Sequence, residues 1–270
     1  MDGGRLKLEW GTLRSRPDDQ VNDLVWTAAG GVVGFLGIYG YRPDQVELCG
    51  MVHPTARRQG VFSALFEAAM AEVASRGVPQ ALLVVDRGYT SGSAFARSVG
   101  GAIEHSEHRM TLRRGPAPIT TDPLVSVREA EVNDGPFIVD CLGKAFGIPA
   151  AQFEKEVAEH GFEALMRRFA GTLLIDYANE PVGTVRVDRD LDAAGIYGFA
   201  VLPEFQGRGI GRQVLSRLAQ ELPSEGLTNV SLEVSVTNDA ALHLYSSCGF
   251  DVMGTEDYWG SPCVKPSERD

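Results

Sequence analysis

The chain has 270 residues, 44% of them hydrophobic and 23% charged, an ordinary balance that excludes disorder and fibrous repeats and gives length enough for two average domains. A formal net charge of −11 at pH 7 excludes general affinity for a nucleic-acid backbone, which needs Lys and Arg to displace counterions from phosphates, and favours a cationic partner. The opening Met1-Asp-Gly-Gly-Arg-Leu-Lys7 lacks the basic-then-apolar run of a secretory leader, and the four cysteines (Cys49, Cys141, Cys248, Cys263) and five histidines show no zinc-ligand spacing, so a cytoplasmic protein with reduced thiols and no metal is expected.

In chain order, the first candidate element is the uncharged stretch Val25 to Tyr41. It is short for a bilayer and carries Gly30-Gly31 in its middle, which predicts a β-hairpin and no membrane span. A strand ending in Val52-His53-Pro54 follows, then a tight turn, Arg57-Arg58-Gln59-Gly60-Val61-Phe62. Next comes a helix with Val61, Leu65, Phe66, Ala69 and Val73 on one face, then a strand and a helix closing at Gly100. Gly115 to Pro123 has the composition of a linker. Beyond it the sequence predicts a strand over Leu124 to Arg128 and helical segments around Phe137 to Phe146 and Phe153 to Phe169.

From there the chain repeats itself at a constant offset of 149 residues. Val33-Gly34 falls on Val182-Gly183, Val52 and Pro54 on Val201 and Pro203, Gly60 on Gly209, and Gly100 on Gly249. The apolar helix face recurs as Ile210, Val214, Leu215, Leu218 and Leu222. Alternating strands and helices imply a mixed sheet with helices packed on it. The expected domains are residues 1–115, a linker at 116–123 and residues 124–270; the first is short at its front, or the chain's start lies upstream.

Chemistry concentrates where the second copy runs from Phe199-Ala200-Val201 through Gln206-Gly207-Arg208-Gly209-Ile210-Gly211-Arg212 into its helix. A glycine-rich strand-to-helix turn lets consecutive N–H groups converge on an anion, with the positive end of the helix behind them. No Lys-Ser or Lys-Thr follows, and the glycines are spaced Gly-x-Gly-x-Gly, so neither the P-loop nor the dinucleotide fingerprint is matched. The turn resembles the [RQ]-x-x-G-x-[GA] motif of the GNAT-type N-acetyltransferases, with Gln206, Gly209 and Gly211 in the defined places. Asn238-Asp-Ala-Ala241-Leu-His-Leu244-Tyr245-Ser-Ser-Cys-Gly249-Phe250 resembles that family's later Asn-x-x-Ala-x-x-Leu-Tyr-x-x-x-Gly-Phe segment.

The resemblance covers residues 125–262 and, through the repeat, 5–113. It implies an α/β fold of two tandem GNAT-like domains, each built on a mixed sheet, in which the strand Gly195 to Val201 splays from its neighbour. Acetyl-CoA would be the acyl donor, its pantetheine arm along the backbone of Phe199, Ala200 and Val201 and its pyrophosphate on the N–H groups of Gly207 to Arg212, with Asn238 also in contact. An amine would attack the thioester directly. That reaction needs a proton acceptor, because an alkylamine of pKa about 10 is mostly protonated at neutral pH, and a donor for the departing thiolate. Glu233, five residues before Asn238 as in the branch that acetylates ribosomal-protein N-termini, is the candidate base; Tyr245 is the candidate acid. Each has a plainer reading, Glu233 as a solvated strand residue, Tyr245 as core and Asn238 as a helix cap.

The first copy has Phe62 where the second has Gly211, and Ala96, Tyr89 and Val84 where it has Tyr245, Asn238 and Glu233. It is expected to be catalytically silent, a weak CoA binder or a wall of the acceptor pocket, although Glu47 places one acid on its fourth strand. The expected acceptor is a small-molecule or protein amine, and the expected assembly a monomer or homodimer. The alternatives are a mycothiol-synthase-like acetyltransferase, similar in its two-domain architecture, and a non-catalytic acyl-CoA sensor.

Overall fold

The uncharged stretch around Gly30 folds as an antiparallel hairpin, β1 (Asp23–Ala28) and β2 (Gly31–Arg42), turned by Gly30 at φ +80. The structure, a computed structural model, describes residues 7, 13, 20–28, 30–42, 44–148, 151, 153, 158 and 170–262. After the hairpin come β3 (Gln45–Val52), a 3-10 turn (Pro54–Ala56), α1 (Val61–Ser75), β4 (Gln80–Asp86), α2 (Thr90–Ser98) and β5 (Ala102–Leu112). The second series is β6 (Val125–Glu129), α3 (Gly135–Phe146), β7 (Thr172–Tyr177), β8 (Glu180–Asp190), β9 (Ala193–Val201), a 3-10 turn (Pro203–Phe205), α4 (Ile210–Ser224), β10 (Asn229–Ser235), α5 (Asp239–Ser247) and β11 (Phe250–Pro262). From the 3-10 turns to α2 and α5, both ends of every paired element lie 149 residues apart. Most of the helical segment expected at 153–169 lies outside the described residues.

By contact the chain forms two compact units, Met1–Glu107 with Gly254–Asp270, and His108–Met253. In the first, the strand order is β1-β2-β3-β4-β11-β5, with β11 antiparallel to β4 from Glu256↔Asp86 to Pro262↔Gln80. The strand that ends the second sequence copy therefore completes the first unit's sheet. Leu36, Leu48, Leu83 and Trp259 from the strands meet Leu65, Ala69 and Val73 of α1 in one buried cluster, the apolar face read from the sequence. Asp257 is held there by Arg87, whose Nη2 donates to its Oδ1 at 2.6 Å, and by Ser106, whose hydroxyl donates to the same oxygen at 2.6 Å.

In the second unit the order is β5-β10-β9-β8-β7-β6, with β5 contributing from His108. Val214, Leu215, Leu218 and Leu222 of α4 cover Ile196, Val230, Leu232 and Val234 of the strands. Each buried Leu or Val contributes about 1.5–3 kcal/mol, which anchors α4 and holds its first turn beside the end of β9. Arg128 ties β6 to its surroundings, donating to Asp134 Oδ2 at 2.7 Å and to Asp176 Oδ2 at 3.1 Å and so fixing the chain just before α3. No described helix is long and apolar enough to cross a membrane.

Burial pushes the Asp257 carboxyl up, but the hydrogen bonds from Arg87 and Ser106 outweigh it and hold the group below the usual carboxylate range. A depressed folded pKa adds stability that is complete above about pH 4 and is lost as pH falls through the folded value. Asp257→Asn is therefore expected to flatten the acid limb of the stability curve, measured as urea midpoints between neutral pH and the acid range; an unchanged limb would assign the acid sensitivity elsewhere.

Candidate active site

In the second unit β9 and β10 pair in parallel from Ala193↔Asn229 to Ile196↔Leu232, and no pairing continues beyond. The parting begins beside a bulge. Arg186 pairs with Tyr197 and Thr184 with Ala200, so Gly198 and Phe199 both stand opposite Val185, and Gly198 takes φ +54. A bulge bends its strand and leaves backbone groups out of the ladder. Gly198 and Phe199 thus have no partner of their own in β8, Ala200 and Val201 rejoin the ladder opposite Thr184 and Gly183, and the Ala200 side chain is buried against Cys141 and Leu202.

The gap ends at the glycine turn. Gly207 (φ +75) and Gly209 (φ +81) adopt left-handed backbone, with nothing within 4 Å of where a Cβ would lie. α4 starts with no side-chain cap, its first bond running from Gln213 N to Gly209 O at 3.0 Å. The N–H groups of the first helical turn are thus turned outward, as an anion site requires. The Gln206 side chain donates to Val201 O at 2.8 Å, and Arg208 Nη2 donates to Glu204 O at 3.0 Å. These two side chains brace the turn, so what it offers a phosphate is mainly backbone. The first unit repeats both braces, with Arg57 Nε donating to Val52 O at 3.1 Å and Gln59 Nε2 to Thr55 O at 3.0 Å.

Glu233 immediately follows the last β10 residue paired with β9. Val230, Leu232 and Val234 enter the core, so by alternation Glu233 lies on the sheet face away from α4, at the mouth of the gap. Tyr197 of β9 shares that face, its ring lying over Gly195 and under the Arg186 guanidinium, 4.8 Å away. Neither Tyr197 nor Arg186 belongs to a recognisable motif; strand alternation was the only signal for them.

Tyr245 of α5 is 8% exposed, and its ring centroid is 6.4 Å from those of Phe199 and Phe250. Burial pushes its phenol up to about 12. The Asn238 side-chain oxygen accepts from Ala241 N at 3.1 Å, so the cap reading holds for that oxygen. Gly211 lies over Phe199 and Leu244, each 3.6 Å from where its Cβ would be. That is ordinary contact distance, so protein atoms do not demand a glycine there. Among the described residues, no group of three His, Cys, Asp or Glu is placed to hold a metal ion.

In the first unit the same elements end differently. β3 and β4 pair only from Gln45↔Gln80 to Leu48↔Leu83, but β3 keeps single register with β2 from Tyr39↔Glu47 to Gly34↔Val52, without the bulge. In the first unit the compensating extra residue lies in β2, whose register with β3 shifts between Tyr39 and Arg42, while two residues separate the strands in both hairpins. Ahead of the bulge the spatial correspondence slips by one from the constant sequence offset: Val46 faces Ala81 as Ala194 faces Val230, which places Glu47 at the position of Gly195.

Phe62 packs edge-on to Phe95 at 4.7 Å. Arg58 holds φ +61 where Gly207 holds φ +75, a conformation that costs a residue with a Cβ about 1–2 kcal/mol. Beside this turn is a cavity of about 790 Å³ lined by Arg57, Gly60, Phe62, Tyr89, Lys7 and Glu256 among others. Lys7 Nζ lies 3.3 Å from Glu47 Oε2 and donates to Tyr258 Oη at 2.8 Å. The sequence points to Glu47 but not to Lys7, Glu256 or Tyr258, because nothing local links residues so far apart in the chain.

Residues 140–250 match the acetyltransferase (GNAT) family. The mycothiol acetyltransferase of Rhodococcus jostii (strain RHA1) is 30% identical over 256 residues, 88% of this chain and 82% of that protein. Two solved structures share the fold at 19% identity: a GCN5-related N-acetyltransferase from Sphaerobacter thermophilus (TM-score 0.74, covering 94% of this chain and 85% of that one) and a tandem GNAT protein from the clavulanic acid biosynthesis pathway (TM-score 0.68, 94% and 86%).

With its phenol raised above the ordinary value of about 10, Tyr245 remains protonated through the neutral and mildly alkaline range. The raised folded pKa adds stability below about pH 10 that is lost as pH climbs toward 12. Ultraviolet titration of the parent against Tyr245→Phe is expected to differ by one phenol ionising near pH 12; a missing phenol that titrates near 10 would contradict the buried placement.

Proposed function

The chain belongs to the GNAT acetyltransferase family, and from that premise we propose that its second unit moves the acetyl group of acetyl-CoA to a primary amine by direct attack, in the gap between β9 and β10. The observation that carries this reading is the bulged β9 leaving β10 beside the uncapped start of α4. The two features give one continuous path of outward backbone groups from the thioester to the pyrophosphate. Acetyl-CoA is the acyl donor of the family, and this groove suits it: the turn glycines leave room for phosphate oxygens, and the strand gap for an extended arm.

In this reading Glu233 takes a proton from the incoming ammonium, directly or through water, and the amine nitrogen attacks the carbonyl carbon. The Val201 amide N–H steadies the negative charge that develops on the carbonyl oxygen. Tyr245 faces the sulfur. A phenol held near 12 is a weaker acid than a thiol of about 8.5, so its part is to donate a hydrogen bond as charge grows on sulfur, not to ionise beforehand. The first unit lacks these groups at the matching positions and does not turn over free amines. Gln206 and Asn238 support the donor site through the turn and the start of α5.

The match to a mycothiol acetyltransferase across 82% of that protein favours one acceptor class in particular, a small molecule carrying a cysteinyl or aminosugar amine. A panel of such amines, set against alkylamines and peptide N-termini, separates this from a broader acceptor range. The sensor alternative finds no support in the second unit, which keeps both Glu233 and Tyr245.

Tyr245→Phe is expected to lower kcat by roughly 100-fold or more with little change in the KM for acetyl-CoA. Near-parental turnover in that variant would remove the chemistry from the second unit. Gly211→Phe, which copies the first unit's residue, is expected to raise the KM for acetyl-CoA at least about tenfold by closing the channel over Phe199.

A further inference from the structure

The two ends of the first unit's cavity differ in chemistry. At one end the turn keeps the backbone of its counterpart, with Gly60 at φ +80 and Arg58 at φ +61, and Arg57 and Arg58 line the wall. A left-handed conformation retained by a residue with a Cβ is the kind of strain that persists where a site requires it. At the other end is the ammonium of Lys7, 3.3 Å from Glu47 Oε2 and 4.0 Å from Glu256 Oε2. Lys7 also donates to Tyr258 Oη at 2.8 Å, and Tyr258 donates to Glu107 Oε2 at 3.0 Å. The side chains of Lys7, Glu47 and Glu256 are only 12%, 18% and 10% exposed. Glu47 precedes Leu48, the last β3 residue paired with β4, so this amine stands where the two strands begin to part. A volume of about 790 Å³ falls in the range of pockets that enclose a small ligand.

We propose that Lys7 is an autoacylation site, its amine taking the acyl group of a thioester held in the first unit's cavity with the phosphates on the turn at 57–60. The proposal rests on the reading that this chain uses acetyl-CoA, but not on the second unit's catalytic groups. Glu47 accepts one proton from the Lys7 ammonium, and the freed nitrogen attacks the thioester carbonyl carbon. The new N–C bond forms as the C–S bond breaks, and the nitrogen's surplus proton leaves with the thiolate, giving an amide and free CoA thiol. The amide does not turn over, so the event occurs once per chain. It deletes the positive charge that faces Glu47 and Glu256 and turns the cavity end from a paired site into an anionic one. Such a change would alter which ligands the first unit accepts.

The test is to incubate the full chain with acetyl-CoA alone and follow intact mass and peptide maps. One added acetyl group on Lys7 is expected, with a rate that saturates in acetyl-CoA and slows in excess CoA. Lys7→Arg should lose that label, and Glu47→Gln should slow it at least about tenfold, with Glu47→Asp retaining part of the rate if the glutamine variant folds poorly. Tyr245→Phe should slow transfer to free amines by roughly 100-fold or more while Lys7 labelling continues at its parental rate. Labelling that rises linearly with acetyl-CoA, or that spreads over surface lysines as it does in the unfolded chain, would mean simple chemical acylation and overturn the proposal. So would labelling lost with Tyr245→Phe. Lys7 labelling without any turnover of free amines would sink the reading of the second unit and leave this one standing.

Discussion

The arrangement depends on where a pair of parallel strands stops pairing. A ladder between β9 and β10 continued to their ends would have satisfied every backbone group and closed the groove. Instead the bulge at Gly198-Phe199 bends β9 away after Ile196, and the chain then delivers α4 with its first N–H groups unused by any side-chain cap. Backbone groups left outside a ladder are costly unless water or a ligand meets them. The second unit bears that cost because its core on the other side of the sheet, from Val214 to Leu222 against Ile196, Val230 and Leu232, holds both strands in place regardless. In the site proposed there, backbone geometry comes first and side chains second.

The two copies show how little has to change to redirect such a groove. Their turns share backbone angles and the same pair of bracing hydrogen bonds, yet one copy has a glycine over the channel and the other Phe62 against Phe95. One has a bulge at Gly198-Phe199 of β9; the other has its register shift in the β2–β3 hairpin between Tyr39 and Arg42 and brings a carboxylate, Glu47, to the position of Gly195. A single inserted residue in β9, matched in the first copy by one in β2, is invisible to a constant sequence offset. It still reassigns which side chain stands at the parting of the strands, because strand residues alternate faces and the bulge changes which of them are opposite one another.

Electrostatics divides along the same lines. The chain is acidic overall, and the end of the first unit's cavity brings Glu47 and Glu256 to one ammonium, Lys7. Partly buried ions in contact interact more strongly than surface pairs, since less water screens them. Asp257, by contrast, is held by Arg87 and Ser106 inside the β4-β11-β5 part of the first unit's sheet, and its role there is to secure the strand.

The repeat, the hairpin around Gly30, the apolar faces of α1 and α4 and the left-handed glycines of the strand-to-helix turn were all legible in the sequence. Each rests on local rules: periodicity that matches a helix or strand, and glycines where a left-handed φ is needed. The buried Tyr245 and the cap at Asn238 also follow from short motifs on one helix. What only the tertiary structure decided is pairing between distant segments. That β11 adds to β4 in the first unit, that the bulge falls at Gly198, and that Lys7, Glu47 and Glu256 meet around one cavity all depend on which strand edges find each other. That choice is made by the whole sheet and its core, and no window of neighbouring residues contains it.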